Sequence, residues 1–439
     1  MLPMAASMNS ATTCAPTNPS GARAGWPLAL LVASMGASRV DLLAGNGPLV
    51  LTPFLVLAPL ILTHDVRAAL RRTGGIPVPV GLAPLLRVLA ALLAVLLVSV
   101  LGSVDPQVSV RRFALLLAHV SAACVLAVLV HVHPDRERLL ARAGGMGVGL
   151  WVAFALLQVG TWFVAGPDAE WLGVVSLQLS TYAGVVPRLS GPSHDPNLGG
   201  VLLVFFSVLL WRYARPGGRA LRWRRWLLPL LGVLLLFTLS RSALLAAVVV
   251  GVAWAVIREG SWSRRRWAGW VLGSLVAMVV GGLLLTVLWP TALDAAADAL
   301  LLVWERFEFL EGSGGERLSL IGRGLEVATD GPQALLLGTG YGTAHLFLND
   351  IFFENEYGNY HSLVVTLLAE AGVPALLLML WLFRRALQAP RADRPLVVAI
   401  LLFSVVQQPH TDPWIWFLLS LAWLAGASPA RGPVRSARS

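Results

Sequence analysis

Long apolar runs separated by short polar segments make up most of the chain, and this pattern predicts a bundle of membrane-spanning helices. A helix needs about 20 predominantly apolar residues to cross roughly 30 Å of hydrocarbon. We predict twelve spans, at residues 26–44, 47–63, 84–102, 113–131, 144–165, 197–213, 226–239, 241–257, 268–289, 360–383, 395–408 and 413–428. The expected fold class is an all-α polytopic membrane protein.

One of these runs contains an arginine, Arg241, in the middle of otherwise apolar sequence from Trp226 to Ile257. An arginine at the centre of a membrane helix costs roughly 2.5–3.5 kcal/mol. The run is too long for one helix and fits two short helices joined by a tight turn. This division places Arg241 at a membrane face, where it begins the eighth span.

The composition agrees with a membrane protein, because 57% of the 439 residues are hydrophobic and only 13% are charged. Soluble domains carry about 25% charged residues. The first 25 residues lack the basic start and early apolar core of a signal peptide, so we expect a short disordered tail. Cys14 and Cys124 lie too far apart in the predicted topology for a disulfide framework or a metal site.

The distribution of the 33 basic residues, all of them arginine, predicts the orientation. With the N-terminus inside, the predicted inner segments hold 23 arginines, and they are residues 64–83, 132–143, 212–225, 258–267, 384–394 and 429–439. Seven arginines lie outside, at positions 111, 112, 188, 241, 306, 317 and 323. This bias follows the positive-inside rule. The net charge of +10 therefore faces inner-leaflet lipid and does not indicate nucleic-acid binding.

Two long segments lie outside in this topology, so we expect the functional site at the outer face. They are residues 166–196 and 290–359. Within the second segment, residues 292–312 form an amphipathic pattern typical of a helix on the membrane surface. The predicted organisation is a tail at 1–25, spans one to nine within 26–289, the loop at 290–359, spans ten to twelve within 360–428 and an inner tail at 429–439.

Several polar residues collect at the outer face. Arg241 could be an interfacial arginine that reaches lipid headgroups, but an outside arginine goes against the bias of the other 23. A guanidinium at a helix N-terminus is suited to bind phosphate oxygens. Arg188 lies outside as well and is a second anion-binding candidate. His194 and Asp195 fit either binding or simple loop polarity, and we expect Asn197 to cap the sixth span.

His361 lies at the start of the tenth span, and its neutral imidazole could accept a proton from a hydroxyl group. Glu370 is out of phase with it on the helix, so we expect an interhelix hydrogen bond there instead. The sequence GTGYGT at 338–343 resembles a phosphate loop only weakly, and flexible loop packing explains it better. Further candidates on this face are Arg317, Tyr341 and His410. Asp350, Glu354 and Glu356 do not have the spacing of a metal site, so no metal or cofactor is expected.

These residues and their order resemble the O-antigen ligase and polymerase superfamily of bacterial envelope glycan assembly. Arg241 with Leu245 is similar to the ligase Arg-x3-Leu motif. His361-Ser362, followed by nine residues and Gly372, is similar to the ligase histidine motif, although Ala375 replaces its usual closing residue. Arg188 and Gly199 resemble the Arg-x10-Gly pattern of polymerase outer loops. Residues 316–342 resemble the start of the common C-terminal region.

The resemblance implies a GT-C-like, metal-independent glycosyltransferase in the bacterial inner membrane, with its site facing the periplasm. The donor would be a glycan on undecaprenyl pyrophosphate, and the acceptor a lipid-linked or glycan hydroxyl such as lipid A-core. His361 would be catalytic. Substrate would be bound by Arg188, Arg241, His194, Asp195, Asn197, Arg317, Tyr341 and His410. The expected partners are these substrates and membrane lipids, without nucleic acid.

Two alternatives remain open at the level of sequence. A polymerase of the same superfamily would transfer the glycan to another carrier-linked repeat. A transporter without chemistry is a different class, and it would typically show inverted repeats and polar breaks near the midplane. The chain shows no obvious repeat, and its polar residues collect at one face.

Overall fold

The fold is described from a computed structural model of the chain. The residues that the structure describes are 25–38, 40, 52–73, 78–166, 171–172, 175–176, 180–182, 186–213, 230–257, 313–348, 358–390 and 393–427. The predicted span at 268–289, the predicted amphipathic segment at 292–312 and the tails at 1–24 and 428–439 lie outside them.

The described chain is mostly helical. In order, the helices are α1 (Trp26–Ser34), α2 (Pro53–Thr73), α3 (Leu82–Leu101), α4 (Pro106–Val132), α5 (Arg136–Ala165), α6 (Pro196–Tyr213), α7 (230–237), α8 (Arg241–Ile257), α9 (Ser313–Ala328), α10 (Gly331–Leu337), α11 (Leu363–Ala386), α12 (Arg394–Val406) and α13 (Pro413–Ala427). Short 3-10 turns occupy Ala344–Phe347 and Pro409–Thr411.

Five of these helices, α3, α4, α5, α6 and α11, are long and apolar enough to cross a membrane. Helices α8, α12 and α13 are apolar but shorter. The fold is therefore that of a multi-pass helical membrane protein, as expected. The count of twelve spans stays a prediction.

Two helices end at positions other than those predicted, one beyond the apolar run and one before its end. Helix α2 extends to Thr73, although the predicted span ends at residue 63, and it carries Arg67 and Arg71 in its last turns. Helix α1 ends at Ser34, ten residues before its predicted end. Hydropathy marks the limits of the hydrocarbon, whereas a helix can continue into the headgroup region on its own backbone hydrogen bonds.

The segment between α5 and α6 contains four short strands, so the fold is not purely α-helical. β1 (Trp171–Leu172) pairs with β2 (Val175–Ser176), and β3 (Ser180–Tyr182) pairs with β4 (Val186–Arg188), both antiparallel. Strands of two or three residues are too short to produce a detectable alternation of apolar and polar positions. The sequence pattern therefore gave no sign of them.

Helices α6 and α13 lie at the centre of the bundle and are buried along most of their length. Helix α5 packs closely on α6, where a side chain at Gly144 would collide with the backbone of Leu210 and one at Gly147 with the ring of Phe206. Small residues allow such close approach between membrane helices. This packing fixes the start of α6, which carries part of the candidate site.

Candidate active site

The turn between α7 and α8 places Arg241 at the start of a helix. Leu239 takes the left-handed backbone conformation, with φ 49°. The Ser240 hydroxyl oxygen accepts a hydrogen bond from the Ala243 N–H at 3.2 Å and so caps α8. Arg241 is the first residue of α8. The predicted tight turn within the apolar run is confirmed, and Arg241 lies at its edge.

Arg188, the last residue of β4, connects this turn to the start of α6. Its Nε donates to the Thr238 carbonyl at 3.2 Å, and its Nη2 donates to the Asn197 side-chain oxygen at 3.4 Å. Asp195 in turn accepts from the Asn197 N–H at 2.7 Å and from its side-chain amide at 2.9 Å. Asp195 thus caps α6, and the expected cap by Asn197 is wrong. With Pro196 in the first helical position, the residue before it is the cap.

Arg188, Arg241 and Arg317 lie close enough to interact electrostatically. Burial lowers the pKa of Arg188, Asp195 raises it, and Arg317 and Arg241 lower it again. Arginine nevertheless stays protonated at any physiological pH. Three guanidinium groups from three separate elements thus lie near one another, and Asp195 lies near Arg188. All three arginines are partly buried, and such a concentration of positive charge favours an anionic ligand.

His361 adjoins this arginine cluster (Arg188, Arg241 and Arg317). It interacts electrostatically with Arg317 and Asp195, and its side chain shares a hydrogen bond with that of Gln407. Burial, and then the positive charge of Arg317, lower the pKa of His361, while Asp195 and the Gln407 hydrogen bond raise it. The net shift is downward, so the imidazole is neutral near pH 7 and can accept a proton.

The backbone around His361 holds the side chain in one place. His361 has a φ of 51°, which is uncommon for residues other than glycine. Its N–H donates to the Asn359 side-chain oxygen at 2.8 Å. Ser362 then caps α11 by accepting from the Val365 N–H at 3.4 Å. The Leu363 N–H donates to the Gln407 carbonyl at 2.9 Å, which ties the helix start to the loop that carries Gln407.

A break in α11 at Gly372, with φ 75°, joins this helix to the glycine-rich loop at 338–343. The carbonyls of Ala369 and Glu370 accept from the Thr339 and Gly340 N–H groups at 2.9 and 3.1 Å. A side chain at Gly372 would also collide with the backbone of Leu336. The break therefore supplies acceptors that an unbroken helix would use internally.

The Glu370 carboxylate completes this connection by accepting from the Gly342 N–H at 2.9 Å and the Ala344 N–H at 3.0 Å. Glu370 is a hydrogen-bonding group as expected, but it bonds to a loop and not to another helix. The prediction of a flexible loop is wrong, because Tyr341 and Thr343 are fully buried. The N–H groups of Thr339, Gly340, Gly342 and Thr343 donate to protein oxygens, so the loop is not arranged to bind phosphate.

Tyr341, His410 and His194 have contacts with other side chains. Tyr341 and His410 are buried against each other, with ring centroids 5.7 Å apart. Both interact electrostatically with Arg112, and burial, followed by Arg112, lowers the pKa of His410 to about 4. His194 is exposed, and its ring nitrogen lies 2.9 Å from the Ser38 hydroxyl. Arg317 and Asp195 interact electrostatically with Arg188 and His361, whereas Tyr341 and His410 both interact with Arg112.

Gln407, which contacts His361, and Arg112, which interacts with Tyr341 and His410, carry no motif that would have identified them. Gln407 bonds to His361, and its position after the last turn of α12 gives no sign of that contact. Arg112 lies beside Gly342 and Gly358. The sequence marked it only as one of the arginines on the predicted outer side. Asp350, Glu354 and Glu356 fall outside the described residues. Within the described ranges, no three His, Cys, Asp or Glu side chains form a group that could hold a metal.

Residues 226–380 match the family model of the O-antigen ligase. The match includes Arg241, Arg317, Glu370 and His361, whereas Arg188 precedes it. It confirms the resemblance to the O-antigen ligase and polymerase superfamily. A comparison with curated proteins finds no match.

Proposed function

We propose, from the O-antigen ligase match of residues 226–380, that the protein is a ligase-type glycosyltransferase of the bacterial inner membrane. It would move a glycan from undecaprenyl pyrophosphate to an acceptor hydroxyl, such as one on lipid A-core, at the periplasmic face. The observation that supports this most is the position of His361. A neutral histidine adjoins a cluster of three arginines, and this arrangement brings a proton acceptor beside an anion site.

The arginine cluster would bind the pyrophosphate of the donor. Guanidinium groups donate paired hydrogen bonds to phosphate oxygens, and Arg241 adds the partial positive charge of the α8 N-terminus. As the bond between the sugar and the pyrophosphate breaks, negative charge grows on the leaving oxygen. The cluster would stabilise this charge more in the transition state than in the bound donor. A general acid is then unnecessary.

His361 would act as the general base. The acceptor hydroxyl oxygen forms the new bond to the anomeric carbon, the pyrophosphate leaves with the bonding electron pair, and the hydroxyl proton moves to the imidazole. A single displacement of this kind inverts the anomeric configuration. Gln407 and Asp195 would orient the ring, and Asp195 would also stabilise the imidazolium that forms.

A polymerase of the same superfamily remains the alternative, since it uses the same donor chemistry and the family match supports both. The two functions differ in the acceptor, which is a lipid A-core sugar for a ligase and a carrier-linked repeat for a polymerase. We favour the ligase because the matched family model is that of the O-antigen ligase. Two ligase-like motifs, at Arg241 and His361, also stand beside one polymerase-like pattern, at Arg188 and Gly199.

The test is transfer in vitro by the purified protein in lipid nanodiscs. A defined glycan on undecaprenyl pyrophosphate is supplied with either lipid A-core or a second carrier-linked repeat, with chelator present throughout. We expect inverted product on lipid A-core, and none from a His361→Ala variant. Product on the carrier-linked repeat alone would identify a polymerase. Movement of the donor across the membrane without any product would indicate a transporter, and loss of product on adding chelator would contradict the metal-independent mechanism.

A further inference from the structure

A buried amide in the membrane helix α5 contacts the segment that follows Arg188. Gln158 lies within the predicted span at 144–165, and its side chain is fully buried. Its Nε2 donates to the Ser190 hydroxyl at 3.1 Å, whereas its Oε1 is buried without a hydrogen-bond partner among the described residues. A buried acceptor without a partner costs stability, and apolar groups of the same shape can replace such a pair at little cost. The amide therefore has a role beyond packing.

A second side chain of α5 holds the other end of the same segment. Trp151 lies seven residues before Gln158, so both side chains project from one face of the helix. The Trp151 indole N–H donates to the Gly199 carbonyl at 2.8 Å. The indole ring also lies against Gly191, which has a φ of 58° and where a side chain would collide with the ring. The segment 190–199 is thus attached to α5 near both of its ends.

Further hydrogen bonds join the start of this segment to the turn between α7 and α8. The Leu189 N–H donates to the Phe237 carbonyl at 3.0 Å, and the Arg188 Nε donates to the Thr238 carbonyl at 3.2 Å. Arg241 begins α8 three residues after Thr238. The chain that carries Arg188 is therefore bonded both to α5 and to the turn that carries Arg241.

From these contacts, we propose that Trp151 and Gln158 are positioning residues that set the distance between the Arg188 and Arg241 guanidinium groups. This inference rests on the proposed function, because it assumes that the arginine cluster binds the donor pyrophosphate. Two guanidinium groups can bind one pyrophosphate together only where their separation matches it, and supporting residues must hold such a site to within about 0.5 Å. Trp151 and Gln158 contact the segment and not the reacting groups, so neither is catalytic.

Binding of undecaprenyl pyrophosphate to the purified full chain tests this proposal without a transfer step. We expect Gln158→Met and Trp151→Phe each to weaken binding about two- to ten-fold, the effect of losing one neutral hydrogen bond that supports a binding residue. Methionine and phenylalanine keep most of the volume of the side chains that they replace. The dissociation constants are measured by titration and native mass spectrometry.

Trp423→Phe is the matched control for Trp151→Phe. The Trp423 indole N–H also donates to a backbone carbonyl, that of Gly81 at 3.1 Å, and Trp423 is buried as well. Gly81 precedes α3, at the end of that helix away from the glycine-rich loop. We expect Trp423→Phe to lower the melting temperature about as much as Trp151→Phe does but to bind undecaprenyl pyrophosphate like the wild type. Equal losses of binding in both variants would show a general loss of stability and would overturn the proposal.

A double variant tests whether the amide acts through Arg188. Arg188→Gln should weaken binding, and the addition of Gln158→Met should cause little further loss, because the group that the amide positions is already gone. A full further loss in the Arg188→Gln background, or wild-type affinity in both Gln158→Met and Trp151→Phe, would overturn the proposal and leave the donor site in place. If the wild type does not bind undecaprenyl pyrophosphate, the proposed donor site is wrong, and this inference is wrong with it.

Discussion

His361 and Arg317 are separated by 44 positions in the chain, yet the charge of Arg317 lowers the pKa of His361. This coupling makes the pH dependence of transfer a probe of the site. The pKa of His361 is lowered, so its neutral form persists below the ordinary value of about 6.5. Transfer should therefore fall only at a pH below that value.

We predict that Arg317→Gln moves the acidic limb of the kcat/KM profile to higher pH. Removing a nearby cation makes protonation of His361 easier, so its pKa rises and the base is lost sooner on acidification. The profile is measured by transfer assays across about pH 4.5 to 8.5, a window set about two units to either side of 6.5. Arg323→Gln is the matched control, because Arg323 lies on the same helix but pairs with Glu326 at 3.1 Å.

An unchanged profile in Arg317→Gln, or a similar shift in Arg323→Gln, would show that His361 does not accept the proton during transfer.

The sequence could predict the types of the site residues and the face on which they lie. It could not predict which candidates meet. Tyr341 and His410 share the outer end with Arg241 but lie beside Arg112, and the spacing along the chain carries no information about such contacts.

The break in α11 and the glycine-rich loop form one structural unit, in which the Glu370 carboxylate accepts hydrogen bonds from two loop N–H groups. The Ser99 hydroxyl also donates to the Glu370 carbonyl. This unit holds the start of α11, and therefore His361, relative to α3. Glu370 is a positioning residue in this account, because it contacts the loop and not the reacting groups.

We predict that Glu370→Gln lowers the stability of the protein by about 1–3 kcal/mol, the cost of leaving a buried donor unsatisfied. The amide keeps one acceptor oxygen but turns an NH₂ group towards either the Gly342 or the Ala344 N–H. The measurement is thermal unfolding in detergent. Glu326→Gln is the control, because Glu326 is 69% exposed and should tolerate the change. Equal melting temperatures for wild type and Glu370→Gln would show that the loop does not depend on this carboxylate.

The sequence predicted elements well where a local signal existed. The turn before Arg241 followed from the length of the apolar run, and the start of α11 followed from the apolar sequence after His361. Two features had no such signal. The rigidity of the loop depends on Glu370, which lies 28 positions from Gly342, and the end of α2 depends on backbone hydrogen bonding that continues beyond the apolar residues.

The described helices bring polar residues together at two ends, with Arg188, Arg241 and His361 at one and Arg136, Arg212 and Asp393 at the other. Their arrangement is compatible with the predicted orientation, in which the arginine-rich end is cytoplasmic. The number of spans stays a prediction, because the ninth predicted span, at residues 268–289, lies outside the described residues.

Cysteine labelling tests this orientation. We predict that Asp330→Cys reacts with a membrane-impermeant thiol reagent on intact spheroplasts and that Glu137→Cys does not. Both positions are exposed, so accessibility within the fold does not limit the reaction. Cys14 and Cys124 are first replaced by serine. Glu137→Cys should react once the membrane is permeabilised. If only Glu137→Cys reacted on intact spheroplasts, the predicted orientation would be wrong and the arginine cluster would lie inside.

The rate of transfer by Arg241→Lys tests whether the arginine cluster binds pyrophosphate for glycan transfer. Lysine keeps the positive charge but loses the planar pair of donors. We predict a fall of about ten- to a hundred-fold in the transfer rate, the effect of losing one strong charge-assisted hydrogen bond, with normal expression and membrane insertion. Arg111→Lys, an exposed arginine at the same end, should transfer at the wild-type rate. Full activity of Arg241→Lys would contradict pyrophosphate binding by the Arg241 guanidinium. It would indicate that Arg241 only reaches lipid headgroups, which any long cation can do.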